Sequence, residues 1–272
     1  MRTMPKLKVS ASKSVYRTTD KWAKTNYLLG HEELRNYIPL TKRFNRNNLL
    51  KMLQDYSMVY VKPTFGSMGR GVMKVEKTSA GTYSYQLLGR KRTFRTFDGL
   101  YLSIKKDTLG KGYIVQRGIH LLTYDDRPYD LRLVVQQTPS KRWEATGTVA
   151  RIAYPGKIVT NGSQGGTILP ATQVLQPYAS QSRMDQLLSD LNRIGVDTMK
   201  RLHRYYPSLK EIGLDIAIDR ELHPWILEVN TRPDHCPFAI LQDQSMIRRI
   251  VYYGRRYGRS YKLNCNKAKS TL

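Results

Sequence analysis

The chain has no run of 18 apolar residues, so no segment reads as a transmembrane helix. Its first stretch, MRTMPKLKVSASKS, contains no apolar core of the kind a secretory signal carries. It has two cysteines, Cys236 and Cys265. That is too few for a disulfide framework or a zinc site, and both are expected to be reduced thiols. Its five histidines, His31, His120, His203, His223 and His235, are scattered without zinc-ligand spacing. No Ser/His/Asp or Cys/His arrangement stands out, although His235 lies close enough in sequence to the acidic motif below to line a site with it, against a satisfied or exposed histidine. No internal repeat or low-complexity linker divides the chain. On these absences the chain is expected to be cytoplasmic, with no recognisable protein nucleophile.

Acidic residues are also scarce. There are 21, against 46 lysines and arginines, for a formal net charge of +25 over 272 residues. After Asp243 there is no acid, yet Arg248, Arg249, Arg255, Arg256, Arg259, Lys262, Lys267 and Lys269 follow. Such a balance suits polyanionic partners: nucleic acid, an anionic cell-wall polymer or an acidic coat surface. It is also compatible with a generally basic, solvated surface. No zinc finger or RNP-type strand supports a nucleic-acid partner. Hydrophobic residues make up 40% of the chain, enough for a substantial core in one large domain or two.

What is present is concentrated in two places. The segment GLDIAIDRELHPWILEVN, from Gly213 to Asn230, alternates Leu214, Ile216 and Ile218 with Asp215, Ala217 and Asp219. Glu228 and Asn230 fall two apart, hence on one strand face. If Arg220 to His223 form a four-residue loop, Asp219 pairs with Pro224 and Asp215 falls opposite Glu228. Facing carboxylates repel unless a positive charge lies between them, and carboxylate and amide oxygens suit Mg²⁺. The competing reading is a solvated polar sheet face.

The second place is VYVKPTFGSMGRGVMKV. A strand, Val59 to Val61, leads to Lys62, then to a turn with Gly66, Ser67, Gly69 and Gly71, then to another strand. Glycines let backbone N–H groups approach a phosphate, and Lys62 adds a point charge beside them. The GxxxxGK[ST] loop is absent, and a strand follows the glycines where a helix would follow a Walker loop. Alone this reads equally as a turn. With the acidic segment it points to a nucleoside triphosphate and Mg²⁺.

Helices are expected at Asp20–Leu29, Asn45–Tyr56, Asp98–Lys106, Arg183–Tyr205 and about 238–254. Strands are expected near 59–62, 72–76 and 82–88, then at Tyr113–Gln116, Asp130–Gln137, Trp143–Tyr154 and Lys157–Asn161. Arg132 shares a strand face with Asp130 and Val134. An inward arginine is costly unless paired, so either Asp130 satisfies it or it meets an anion. Arg151, between Ala150 and Ile152, is placed to stabilise charge on a phosphoryl group.

Lys62-Pro63 with the glycine turn, the strand Ile114-Val115-Gln116 and Asp215…Glu228-Val229-Asn230 together resemble an ATP-grasp enzyme. The acidic spacing, thirteen then two, is similar to that of D-Ala–D-Ala ligase-type members. TTDKWAKTNYLL, VKPTFGSMGRGV, LLTYDDRPYDLRLVVQ, TNGSQGG and ILEVNTRPD resemble the YheC/YheD family, described as endospore coat-associated. The resemblance runs from about Lys13 to Tyr257.

It implies an α+β fold of two subdomains with ATP between them. The domain would cover 13–257, with a small lid-like part at about 58–118 and a basic tail at 258–272. Only about 20 residues precede Lys21, so the usual N-terminal domain is expected to be largely missing. Lys21 matches the first ATP lysine, against a plain helix-surface lysine. Gln116 and Arg117 match the adenine hinge, and Asp125 or Asp126 is placed for the ribose, against a charged turn. Asn161, in the loop Thr160–Gly166, matches a loop touching phosphate and substrate, against a surface loop. Asp215, Glu228 and Asn230 would hold one or two Mg²⁺, with Mn²⁺ as a substitute.

The implied activity is ligation of an unknown carboxylate to an unknown amine through an acyl phosphate. Asp234-His235-Cys236-Pro237 replaces the small turn that many such ligases carry, which leaves the acceptor unspecified. Two other readings stay open: a basic, non-catalytic coat protein retaining a nucleotide fold, and a polyanion-binding protein. The spore coat is the alternative location to the cytoplasm.

Overall fold

The computed structural model describes residues 18–67, 69–155, 166–263 and 265. It is an α+β arrangement of two antiparallel sheets. Among the described residues no helix is long and apolar enough to cross a membrane.

The first sheet orders its strands β1 (Thr41–Arg43), β6 (Tyr113–Arg117), β2 (Met58–Pro63), β3 (Met73–Lys77), β4 (Tyr83–Leu87) and β5 (Arg90–Phe94). Alternation along β2 buries Val59 and Val61 against helix α2 (Arg46–Tyr56) and helix α3 (Phe97–Asp107), through Leu49, Met52, Leu53, Leu100 and Ile104. Asn45 caps α2 by accepting from the Asn48 N–H at 2.8 Å. Ser57 ends it in the left-handed region at φ 56°. β5 was not foreseen. Its Arg90, Lys91 and Arg92 are exposed on the sheet's outer strand, where charge discourages pairing with another chain.

The second sheet orders β10 (Thr167–Pro170), β9 (Trp143–Ile152), β8 (Arg127–Gln137), β11 (Glu211–Ile218) and β12 (Pro224–Asn230), with the short β7 (Thr123–Tyr124) paired to β8. Its strands are covered on both faces, so all eight residues of β11 are buried. One face carries helix α5 (Gln181–His203), whose stripe of Leu187, Leu191, Ile194 and Leu202 meets Leu131, Leu133, Leu214 and Ile216. Gly195 permits the close approach: a Cβ there would lie 2.5 Å from Leu133 Cδ2. Helix α1 (Lys21–Leu29) and a 3₁₀ turn, Leu34–Tyr37, join this core, and the short α4 (Ala171–Leu175) closes it beside β10. On the other face Val134, Val149 and Ile168 pack under Phe238, Leu241, Ile247 and Ile250.

Three expectations need correction. The helix expected over 238–254 is two: α6 (Cys236–Ala239) and α7 (Ser245–Arg256). Asp243 stops continuity by accepting from the Ser245 N–H and hydroxyl, both at 2.8 Å, a local turn that competes with helix. The cysteines are not free thiols: Cys236 and Cys265 are disulfide-bonded, their Cα atoms 5.3 Å apart. The segment expected as a basic tail from 258 forms, in its described residues, a strap. Arg259 pairs with buried Glu211 and donates to the Pro233 carbonyl at 2.8 Å, and the Tyr261 hydroxyl donates to the Ile250 carbonyl at 3.2 Å. Buried His235 lies beneath the strap, 3.5 Å from Glu211. Burial, with Arg132 adding to it, pushes its pKa down to about 4 and keeps it neutral. The strand expected at Lys157–Asn161 lies outside the described residues.

Candidate functional site

The two sheets meet at a cleft. From the first sheet come Tyr60, Lys62, Gly66, Ser67, Gly69, Arg70, Val72 and Arg117; from the second come Asp130, Asp215, Leu227 and Glu228; Lys21 joins them.

Lys62 leaves β2 on the face that its pairing with Ile114 shares with Gln116. Its ammonium donates to Gln116 Oε1 at 2.6 Å, and Gln116 Nε2 donates to Thr41 Oγ1 at 3.1 Å. Burial pushes the Lys62 pKa from 10.5 down to about 8, with Glu228 opposing. Lys21 opens α1, which Asp20 caps by accepting from the Trp22 N–H at 2.9 Å. The Lys21 backbone N–H donates to the Thr64 carbonyl at 2.9 Å. Its ammonium donates to the Gly66 carbonyl at 2.7 Å and lies 3.3 Å from Glu228 Oε1. One lysine thus ties the glycine loop to the acidic hairpin. Gly66 sits at φ 140° and Gly69 at φ 69°, backbone states that side chains resist.

On the acidic side, Asp215 pairs with Glu228 across the hairpin. The route differs from the expected one. Pro224 pairs with Ile218, not Asp219, so the loop has one more residue. A bulge between Asp215 and Ile216, opposite Leu227, then restores the register. Leu227, the extra residue, faces the cleft.

Arg132 stands beside Asp215, not Asp130. Its Nε donates to Asp215 Oδ1 at 2.7 Å, and its Nη2 is 2.6 Å from the same oxygen. Arg151 Nε donates to Asp130 Oδ1 at 2.8 Å, and its Nη2 lies 3.0 Å from Asp215 Oδ2. Burial opposes ionisation of Asp215, but Arg132 and Arg151 outweigh it and hold the carboxyl below the usual range. Burial likewise opposes the Arg151 charge, and Asp130 and Asp215 outweigh it, keeping the guanidinium protonated.

The donor set fits a divalent cation in part. Among the described residues no group of three or more His, Cys, Asp and Glu side chains is arranged to hold a metal. Both Asp215 oxygens face guanidinium groups. Glu228 opens on the cleft, and Asn230 Nδ2 is buried without a partner. Glu228 and Asn230 share a strand face, so these two suit one hard cation whose other ligands are phosphate and water.

The cleft brings together Lys21, Lys62, Gly66, Ser67, Gly69, Arg117, Asp130, Asp215 and Glu228. Gly71 is in the same turn, at φ 76°. Gln116 reaches it through Lys62, and Arg132 and Arg151 through Asp215. Asp125 is not there. With Asp126 it forms the turn between β7 and β8, at φ 49° and 57°, beside a separate depression lined by Arg127, Pro170 and Gln173; the charged-turn alternative describes it. Asn161 lies outside the described residues.

The sequence reading missed Lys24. It is 5% exposed, donates to the Val229 carbonyl between Glu228 and Asn230, and has its pKa pushed down to about 8, chiefly by burial. Its signal was its spacing of three from Lys21 on one helix face. Arg117 was foreseen as a hinge, but not its place between the rings of Tyr56 and Trp225, 5.0 and 5.1 Å away.

A family model described as YheC/D-like ATP-grasp matches residues 14–260. The chain is similar to the endospore coat-associated protein YheC of Bacillus subtilis (strain 168), 26% identical over 218 residues, covering 79% of this chain and 60% of that protein. It is similar to YheD of the same organism, also described as endospore coat-associated, 24% identical over 190 residues, covering 68% and 41%. The chain thus spans between two fifths and three fifths of these relatives. Among solved structures, the ADP complex of N5-carboxyaminoimidazole ribonucleotide synthetase matches with a TM-score of 0.51 at 12% identity, covering 88% of this chain and 52% of that one. D-alanyl-alanine synthetase A from Vibrio cholerae O1 biovar eltor str. N16961 matches with 0.52 at 10% identity, covering 89% and 61%. These two establish the fold alone: ATP-grasp.

Proposed function

The chain belongs to the YheC/D-like ATP-grasp family, and on that premise we propose that it binds Mg-ATP in the cleft between the sheets and uses it to join a carboxylate to an amine. The observation that carries this reading is the convergence of Lys21, Lys62, the Gly66–Gly69 turn, Asp215 and Glu228 on one cleft. In the reaction a substrate carboxylate oxygen attacks the γ-phosphorus of ATP and ADP leaves. An amine then adds to the acyl phosphate carbonyl, inorganic phosphate leaves, and the amine proton passes to solvent or phosphate, giving an amide.

A bound Mg²⁺ supplies charge neutralisation on the phosphates, and Glu228 and Asn230 would hold it. Lys62 and Lys21 set positive charge beside the glycine turn, whose backbone N–H groups suit phosphate oxygens. Arg151 and Arg132 lie behind the cleft, paired with Asp130 and Asp215, and fix the position of these two carboxylates. Arg117, wedged between aromatic rings, fixes the strand end proposed to meet the adenine. No protein nucleophile is required.

The test is ADP release from Mg-ATP across a panel of amino acids and cell-wall carboxylates. Release that depends on one carboxylate and one amine, with an amide product by mass spectrometry, supports the reading. Nucleotide binding without turnover on any pair would leave the coat-associated, non-catalytic alternative.

A second property rests on α7. Arg248, Arg255 and Arg256 line a depression with Val251, Tyr252 and Leu263. That cationic face suits an anionic polymer or an acidic coat surface, in keeping with the description of the two relatives.

A further inference from the structure

Asp130 and Asp215 have both oxygens facing guanidinium groups, and the four side chains of this Asp130–Arg151–Asp215–Arg132 chain are 3–10% exposed. Its charges balance, two against two. For Asp215 to bind a cation it would have to release both arginines. Arg151 would keep Asp130, but Arg132 has Asp215 as its one ion-pair partner among the described residues and would be left buried and uncompensated. The incoming cation would also face two guanidinium groups at close range.

Glu228 is the more open carboxylate. Its side chain is 26% exposed, and its one ion pair among the described residues is with the Lys21 ammonium at 3.3 Å. Asn230, on the same face, buries Nδ2 without a partner. Turning that amide by 180° brings its oxygen to the same place. A magnesium ion bound with phosphates needs only one or two protein carboxylates.

We infer that Asp215 is not a metal ligand in this chain: the acidic hairpin holds a single divalent cation, on Glu228 with Asn230, while Asp215 is committed to Arg132 and Arg151. This rests on the nucleotide reading above but is tested separately. Asp215 is then a positioning residue that holds the two buried arginines behind the cleft.

The experiment counts Mn²⁺ by electron paramagnetic resonance of the free ion, with and without a non-hydrolysable ATP analogue. One ion per chain is expected in both conditions, bound more tightly with the nucleotide. Glu228→Gln should weaken it at least tenfold. Two ions per chain with nucleotide, or no ion in either condition, overturns the inference. So does a properly folded Asp215→Asn protein that loses Mn²⁺ as severely as Glu228→Gln. Because removal of Asp215 leaves buried arginines unpaired, that variant can fail to fold, and the wild-type count then decides alone. Titration without nucleotide counts ions on the hairpin even if no ATP analogue binds, so failure of the nucleotide reading is distinguishable.

Discussion

Lys62 donates its ammonium to the Gln116 side-chain oxygen at 2.6 Å. The partner is neutral, so it orients the lysine without cancelling its charge, and that charge stays available to an anion in the cleft. Burial is the main cause of the Lys62 pKa standing near 8, so the group is charged below that pH and neutral above it. Lys62→Ala is expected to weaken binding of a non-hydrolysable ATP analogue by about 10- to 100-fold, the scale of a lost charge-assisted hydrogen bond. Wild-type affinity should fall as pH rises through 8, and Gln116→Glu should move that fall upward by adding a carboxylate. Calorimetric titration from pH 7 to 9 checks both; an unchanged dissociation constant in Lys62→Ala means the glycine segment is only a turn.

Glu228→Gln is expected to lower Mg-ATP-dependent ADP release by about 100-fold or more, the scale seen when a group stabilising transition-state charge is removed. Glu228 is partly exposed on the cleft and contributes little to the core, so the melting temperature should change little. A large stability loss would mean that its contact with Lys21 is structural first.

The hairpin shows how far the sequence was legible. Alternation and the spacing of Asp215, Glu228 and Asn230 put the three on one face, and they are there. The four-residue loop was wrong, and the pairing survived because the bulge at Leu227 offsets the longer loop. Neither change leaves a local signal, since both depend on how β12 fits against β11. The Arg132 partner was unreadable for a related reason. Asp215 becomes its neighbour only because β11 inserts beside β8, some eighty residues away in the chain. The Cys236–Cys265 pairing depends on the strap folding back, which a polar, basic segment does not announce. By contrast α1, α2, α5 and the strands around the glycine turn follow from caps and periodicity, which are local.

Gly195→Ala should destabilise the fold by about 1–3 kcal/mol, the usual cost of overpacking. An added Cβ would meet Leu133 Cδ2 at 2.5 Å and Val135 Cγ2 at 2.9 Å, forcing α5 away from the sheet. Denaturant unfolding of the variant measures this. A stability equal to wild type would show that α5 can shift without loss.

Reduction of the Cys236–Cys265 bond should cost up to about 4 kcal/mol, from the chain entropy regained by a loop closed over a separation of 29 residues. The strap holds Arg259 on Glu211 and on the Pro233 carbonyl, close behind Asn230. Cys265→Ser should reproduce the effect of dithiothreitol, and dithiothreitol should then add nothing. Denaturant unfolding of the oxidised and reduced wild type, and of the variant, checks this. Equal stability of the two wild-type forms would mean that the non-covalent contacts hold the strap unaided.

The arginines of α7 divide into two kinds. Arg249 lies 3.5 Å from Glu144, whose other oxygen accepts from the Tyr253 hydroxyl at 2.9 Å, so it belongs partly to the fold. Arg248, Arg255 and Arg256 border the depression with Tyr252 and Leu263, and no carboxylate pairs with them among the described residues. Arg248 also acts on the Asp243 carboxyl, and the three charges together can displace counterions from a polyanion. Replacing these three with glutamine should weaken heparin binding and lower the slope of log affinity against log salt by about one per arginine removed. ATP-analogue affinity should stay unchanged, because Ile247 and Ile250, not the arginines, hold α7 to the sheet. Loss of nucleotide binding with heparin binding intact would assign this face to the site instead.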